Sequence, residues 1–263
     1  MAKRSFAGKR VILTGASSGI GWYTASELVR AGAYVVMTSR RADRLRDLRL
    51  SFGNPQKRLI AVPGDITDPE LREEVIQTAE RELGGFDILI NNAGVGAIGN
   101  FEESNSERLR KIFEVDFFAA AELTRLAIPH LKRGNHSAIC MVNSVLGHRA
   151  VPQKSEYCAA KFALRGWAEA LRIELRSRNI DVLTVSPSTT RSEFFDSLVD
   201  TVRGKKSASI GSQSPETVAK QVLIALRKRK RDRVLSAGGK AFVWLSRIAP
   251  NVTDRILMRL AAA

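Results

Sequence analysis

The chain has 263 residues, 44% apolar and 26% charged, with two cysteines, Cys140 and Cys158. That mix excludes wholesale disorder, collagen-like repeats, a disulfide framework and a cysteine-built zinc site, and makes a reduced intracellular setting the default. The formal net charge is +15, and residues 221–263 carry ten Lys/Arg against two Asp/Glu, centred on Arg227-Lys228-Arg229-Lys230-Arg231-Asp232-Arg233, a cluster suited to lipid headgroups, nucleic acid or acidic partners.

The first apolar run is residues 11–13. It is too short for a signal-peptide core, and the chain has no apolar run long enough to span a bilayer. It leads into Thr14-Gly15-Ala16-Ser17-Ser18-Gly19-Ile20-Gly21 and a helical stretch over 20–31. Gly15 permits a tight turn, Gly19 lets backbone approach a pyrophosphate, and Gly21 permits close helix–sheet packing. The helix N-terminus adds free N–H groups and a positive dipole end. The spacing predicts dinucleotide binding; the competing reading is a structural turn.

A second strand, 34–37, ends at Thr38-Ser39-Arg40-Arg41. An acid that would bind a free ribose 2′-hydroxyl is missing here. Ser39 stands in its place, and Arg40 suits a 2′-phosphate, so NADP(H) is expected. The bland alternative is a solvated helix start over 43–50. Strands at 59–62, 88–90, 138–142 and 182–185 follow, separated by helical stretches at 69–83, 106–131 and 156–177. Strand–helix alternation predicts an α/β fold, a doubly wound parallel sheet with helices on both faces.

In the last of these helices Tyr157 and Lys161 are four apart and share a face. A phenol is a poor acid–base group at neutral pH, and a nearby ammonium favours its ionised form. An ordinary amphipathic helix is the competing reading. His130, His136 and His148 have no metal-ligand spacing, so no metal is expected. Cys158, Trp22 and Trp167 read as packing residues. Residues 192–214 are polar and irregular, a mobile loop or an ordinary surface connection. At the C-terminus, 237–263 mixes Phe242, Trp244, Ile248 and Ile256 with Arg247, Arg255 and Arg259. Pro250 should divide it into two short helices. It reads either as an arm packed on the core or another subunit, or as a peripheral contact with an anionic membrane. Nucleic acid is not expected, because the basic run has no interleaved aromatics.

Thr14-Gly15-x-x-x-Gly19-x-Gly21, Asn91-Asn92-Ala93-Gly94, Ser144, Tyr157-x-x-x-Lys161 and Ser186-Pro187 together resemble the short-chain dehydrogenases/reductases, over residues ~8 to ~235. The resemblance implies a Rossmann-like catalytic domain over 1–236, with about seven strands, followed by a basic amphipathic extension over 237–263. It implies hydride transfer between a nicotinamide cofactor and a carbonyl or alcohol; the alternative is a cofactor-binding sensor or scaffold without turnover. Tyr157 is implied as general acid/base, Lys161 as the group that holds the ribose and depresses the tyrosine pKa, and Ser144 as hydrogen-bond donor to the substrate oxygen. Along the cofactor the resemblance implies Gly15, Ser17, Ser18, Gly19, Ile20, Gly21, Asp65, Ile66, Asn91, Ala93, Gly94 and Pro187. A homo-dimer or homo-tetramer joined through helices near 106–131 and 156–177 is the family expectation, and the short first apolar run together with the cysteine usage makes a cytoplasmic location, with or without a peripheral membrane contact, the expected one.

Two positions depart from the family. The usual catalytic asparagine, whose backbone carbonyl holds a proton-relaying water in relatives, falls on Asp116; aspartate keeps that carbonyl but loses a side-chain donor and adds charge. Ser188 stands where glycine is usual and adds bulk beside the nicotinamide. The substrate groove is expected along 95–100, 146–152 and 192–214, with apolar lining in the first two.

Overall fold

Parallel strands buried on both faces need apolar side chains in both directions, and the six apolar runs supply them. The computed structural model describes residues 3–53, 58–131, 133, 136–191, 193–194, 198–199 and 212–262. Among these, β1 (Arg10–Thr14), β2 (Tyr34–Ser39), β3 (Leu59–Pro63), β4 (Ile88–Asn91), β5 (Ala138–Val142), β6 (Asp181–Ser186) and β7 (Asp232–Val234) form one sheet. Every neighbouring pair is parallel, in the order β3-β2-β1-β4-β5-β6-β7.

Successive strand residues point to opposite faces. Val11 and Leu13 of β1 pack with α1 (Gly19–Arg30), α2 (Ala42–Leu50) and α7 (Pro215–Arg227). Ile12, between them, packs with α3 (Pro69–Leu83), α5 (Ala119–Leu131) and α6 (Ser155–Glu174) on the other face. The strand order reverses between β1 and β4. There the connections leave to opposite faces and open a crevice at the strands' C-terminal ends, the usual ligand position in such sheets.

Three elements differ from the pattern-based expectation. The stretch 106–131 is α4 (Ser106–Phe113), a π-helical turn at Glu114–Phe118, and α5. A π turn shifts the helical phase without needing Gly or Pro, so periodicity does not announce it; Asp116 sits in that turn, buried. α7 was readable from its start, where Ser214 accepts the Thr217 N–H at 3.2 Å and Pro215 opens the first turn. β7 is three residues, two of them charged, at the sheet edge, and carries no hydrophobic signal.

The C-terminal residues form α8 (Ala237–Ile248) and α9 (Pro250–Ala262), divided at Pro250. Both bury one face, through Val243, Ser246, Thr253 and Leu257, and Arg149 pairs with Asp254. Part of the basic run is structural. Arg229 donates two hydrogen bonds to Asp181, at 2.6 and 2.9 Å, and Arg4 holds the same carboxylate at 2.7 Å. Most of 192–214 lies outside the described residues.

Candidate active site

The glycine-rich turn lies where β1 and β4 end side by side. Gly15 has φ 68°, and a Cβ there would lie 2.8 Å from the Ala93 Cα; at Gly21 it would lie 2.0 Å from the Gly15 carbonyl oxygen. Neither position has room for a side chain. The Thr14 hydroxyl accepts N–H from Asn92 and Ala93, at 3.0 and 2.9 Å. The Asn92 amide donates to the Thr14 and Gly15 carbonyls, at 2.9 and 3.1 Å. These bonds join the two strand ends into a floor. Thr14 and Asn92 lie within the quoted motifs, but their bonds to each other's segments are not visible in the motifs themselves.

A cavity of about 640 Å³ stands over this floor. Gly15, Ser17, Ser18, Gly19, Ile20 and Gly21 line one end, with Ser39, Arg40, Asp65 and Ile66 beside them. Ala93, Gly94, Ser144, Tyr157, Lys161 and Pro187 line the other. Asn91 is the exception. Its amide donates to Thr124 Oγ1 at 2.9 Å and touches Met141 Sδ at 3.3 Å, so the side chain points into the helical layer. The Asn91 side chain thus turns away from the cavity, whose lining after β4 begins at Asn92.

The residues present fit a dinucleotide. Gly15 and Gly21 shape a cradle that any Cβ would fill, and the α1 N-terminus opens onto it. Ser39 Oγ is buried without a hydrogen-bond partner among the described residues. Arg41, left out of the sequence-based site, turns into this end: its Nε and Nη2 both donate to Ser17 Oγ at 3.1 Å.

At the reacting end α6 presents Tyr157 and Lys161 one turn apart, with Lys161 Nζ 5.5 Å from the tyrosine ring centroid. Ser144, after β5, accepts the Leu146 N–H at 3.1 Å, and its hydroxyl opposes the rise of the Tyr157 phenol. Burial pushes the Tyr157 phenol up, Lys161 pulls it down, and Asp116 adds to the rise. The phenol is thus held protonated at neutral pH, beside a cation able to stabilise the phenolate when the proton leaves.

Asp116 departs from the family in a specific way. Its Oδ1 accepts the Val95 N–H at 2.7 Å, and its Oδ2 lies 3.0 Å from Lys161 Nζ, with both side chains buried. Burial pushes the carboxyl up, opposed by Lys161 and the Val95 N–H. Desolvation pulls the Lys161 ammonium down, but Asp116 and Tyr157 outweigh it and hold it up. At 3.0 Å the arrangement is a carboxylate–ammonium pair. Below it Arg108 donates to Glu156, the residue before Tyr157, at 2.6 and 3.0 Å, which pins the start of α6 to α4. Burial works against the Glu156 carboxylate, yet hydrogen bonds from Ser104, Arg108, its own backbone and Ser155 outweigh it and hold the group at about 2.

The substrate end is apolar. Val95, Ala97, Ile98 and Leu146 line it as expected, joined by Phe194, whose ring meets Tyr157 edge-on at 5.8 Å. Phe242 of α8 and Leu257 of α9 complete the wall, a contribution invisible in local sequence. The Ser188 hydroxyl bonds Ser236 at the start of α8, so the departure from glycine ties the cavity wall to the C-terminal helices. Cys158 is buried with its thiol pushed up by burial, and no group of three or more His, Cys, Asp or Glu among the described residues could hold a metal.

A family model described as short chain dehydrogenase matches residues 9–203. An uncharacterized oxidoreductase, YxnA of Bacillus subtilis, is 32% identical over 258 residues, covering 95% of this chain and 71% of its own. Two solved structures share the fold. A short chain dehydrogenase/reductase from Burkholderia phymatum in complex with NAD has TM-score 0.86 at 21% identity, over 95% of this chain and 96% of that one. A short chain dehydrogenase from Burkholderia cenocepacia in complex with NADP has TM-score 0.78 at 27% identity, over 90% and 100%.

Proposed function

The chain belongs to the short-chain dehydrogenase/reductase family of oxidoreductases, and from that premise we propose that it moves a hydride between NADP(H) and the carbonyl or alcohol group of an apolar small molecule. The observation that carries this reading is the convergence of Ser144, Tyr157 and Lys161 in one cavity with the glycine cradle. Gly15, Ser17, Ser18, Gly19, Ile20, Gly21, Ser39, Arg40, Asp65, Ile66, Ala93, Gly94 and Pro187 would hold the cofactor, which supplies or accepts the hydride when bound. The absence of an acid at Ser39 and the guanidiniums of Arg40, Arg41 and Arg44 support the phosphorylated form.

In the reductive direction Ser144 donates a hydrogen bond to the substrate oxygen, and the Tyr157 hydroxyl transfers its proton to that oxygen. Lys161 stabilises the phenolate left behind. Val95, Leu146, Phe194, Phe242 and Leu257 exclude water and favour an apolar substrate. Asp116 acts on the reaction through Lys161 and the Val95 N–H.

The alternative of cofactor binding without turnover draws on one observation, the direct hold of Asp116 on Lys161. NADPH consumption over a panel of apolar carbonyls separates the two. Wild type should turn over, Tyr157→Phe should lose turnover at nearly unchanged NADPH affinity, and Lys161→Ala should lose both. Absence of consumption across the panel, or equal loss of NADPH affinity in both variants, would overturn the enzymatic assignment.

Exposed Phe118, Phe162 and Ile173 support association as a homo-dimer or homo-tetramer through the α5 and α6 region. Among the described residues no helix is long and apolar enough to cross a membrane. The extension over 237–263 carries exposed Trp244, Ile248, Val252, Ile256 and Met258 beside Lys240, Arg247, Arg255 and Arg259. Its acid, Asp254, is already paired with Arg149. Two copies of this face would set like charges together, whereas an anionic lipid surface complements it and would bring apolar substrates close to the wall formed by Phe242 and Leu257.

A further inference from the structure

The arginines at the adenosine end of the cavity are already engaged. Glu193, in the segment after β6, places Oε2 at 2.7 Å from Arg41 Nη1 and Oε1 at 2.7 Å from Arg44 Nη2. Arg41 also reaches Ser17 of the glycine-rich turn. A carboxylate therefore occupies the guanidiniums beside Ser39, with one oxygen on each, as an incoming anion would. The two arginines in turn hold the Glu193 carboxyl below its usual range, Arg41 foremost through its hydrogen bond.

The same segment reaches the reacting end. Arg191 donates its N–H to the Gln213 carbonyl at 3.0 Å, and Val199 donates to the Gly96 carbonyl at 2.8 Å, so the backbone is anchored on either side of Glu193. The next residue, Phe194, is the ring that meets Tyr157. One peptide unit thus links the charges at the adenosine end to the ring that covers the general acid.

We propose that Glu193 is a specificity-determining residue: a dinucleotide bearing a 2′-phosphate binds by displacing its carboxylate from Arg41 and Arg44, and one with a free 2′-hydroxyl leaves the contact in place. The inference rests on the assignment of a nicotinamide dinucleotide to this cavity. Displacement is feasible because all three side chains are substantially exposed, and exposed ion pairs exchange at small cost. Arg40, Arg41 and Arg44 outnumber the carboxylates of Glu193 and Asp65, so the end stays positive while Glu193 is bound.

Fluorescence titration of wild type and Glu193→Gln with NADPH, NADH and 2′-AMP tests this. Removing the competing charge should tighten NADPH and 2′-AMP about three- to tenfold at low salt, the range set by two exposed ion pairs. It should leave NADH within twofold, and the gain should shrink as salt rises. Unchanged or weaker NADPH binding in Glu193→Gln, or equal tightening of NADH, would overturn the proposal. A wild type that prefers NADH would overturn the NADP(H) assignment instead, while a selective gain for 2′-AMP in Glu193→Gln would still uphold the role of Glu193.

Discussion

Asp116→Asn is the most informative change at the reacting end. Asparagine has nearly the same shape and keeps an oxygen for the Val95 N–H, but it removes the charge 3.0 Å from Lys161 Nζ. At an effective dielectric of about 20, two charges at that separation attract by about 5 kcal/mol. Breaking a buried pair from one side costs about 3–5 kcal/mol, because the remaining charge stays desolvated. Asp116→Ala additionally orphans the Val95 N–H, for about 1–3 kcal/mol more. The ordering wild type, Asn, Ala should appear in urea unfolding of the cofactor-free protein.

The pH dependence has a fixed sign. Lys161 is held above its free value of 10.5, chiefly by Asp116 against desolvation. The Lys161 side of the pair is therefore fully charged below pH 10.5 and is lost as pH rises through the raised value, while on the acid side the pair ends as Asp116, held above the usual carboxylate range by burial, takes up a proton. The stability gap between wild type and Asn should be full near neutrality and close in strong alkali. Asp116 also adds to the rise of the Tyr157 phenol, after burial and against Lys161. Its neutralisation lets the phenol ionise at lower pH. The alkaline limb of carbonyl reduction, which needs the protonated phenol, should move down, as should the pH at which alcohol oxidation begins. Turnover near neutrality should be kept. A stability loss under about 1 kcal/mol would show that the pair contributes little in solution, and a profile shifted upward would refute the electrostatic account.

Two further outcomes follow from the geometry. Glu156 is held at about 2 from an ordinary 4.5, so the hydrogen bonds it accepts, from Ser104 and Arg108 foremost, stabilise above pH 4.5 and fade as pH falls toward 2. The linkage is worth about 3 kcal/mol. The urea-midpoint gap between wild type and Glu156→Gln should be wide at about pH 6 and narrow at about pH 3, and a constant gap would contradict the assignment. Vesicles rich in anionic lipid should pellet the protein at low salt, each exposed base adding about 1 kcal/mol. The double variant Trp244→Ser, Arg255→Glu should stay in the supernatant, and wild type that fails to pellet would remove the membrane contact. Surface substitutions suit this test better than truncation, since Val243 and Leu257 are buried and the latter walls the cavity.

Local chemistry made much of this protein legible. The apolar runs of β1 to β6 are short and bounded, and a parallel sheet buried on both faces demands that pattern, so strand order in sequence and fold class follow from it. The glycine-rich turn was legible because a tight turn and close packing admit only glycine, and at Gly15 and Gly21 a Cβ would meet neighbouring atoms at 2.8 and 2.0 Å. Tyr157 and Lys161 were legible because four residues make one helical turn. What stayed hidden depends on contacts between residues far apart in the chain. Asn91 and Asn92 are adjacent and chemically identical, yet one turns to Thr124 and the other to the Thr14 and Gly15 carbonyls. Alternation along a strand end sends neighbours to opposite sides, and only the register of β4 between β1 and β5 settles which goes where. The pairing of Asp116 with Lys161, the seat of Glu193 on Arg41 and Arg44, and the wall made by Phe242 and Leu257 likewise join segments from tens of residues to more than a hundred apart. Periodicity reports a residue's face on its own element; the partner it meets is decided when the elements pack.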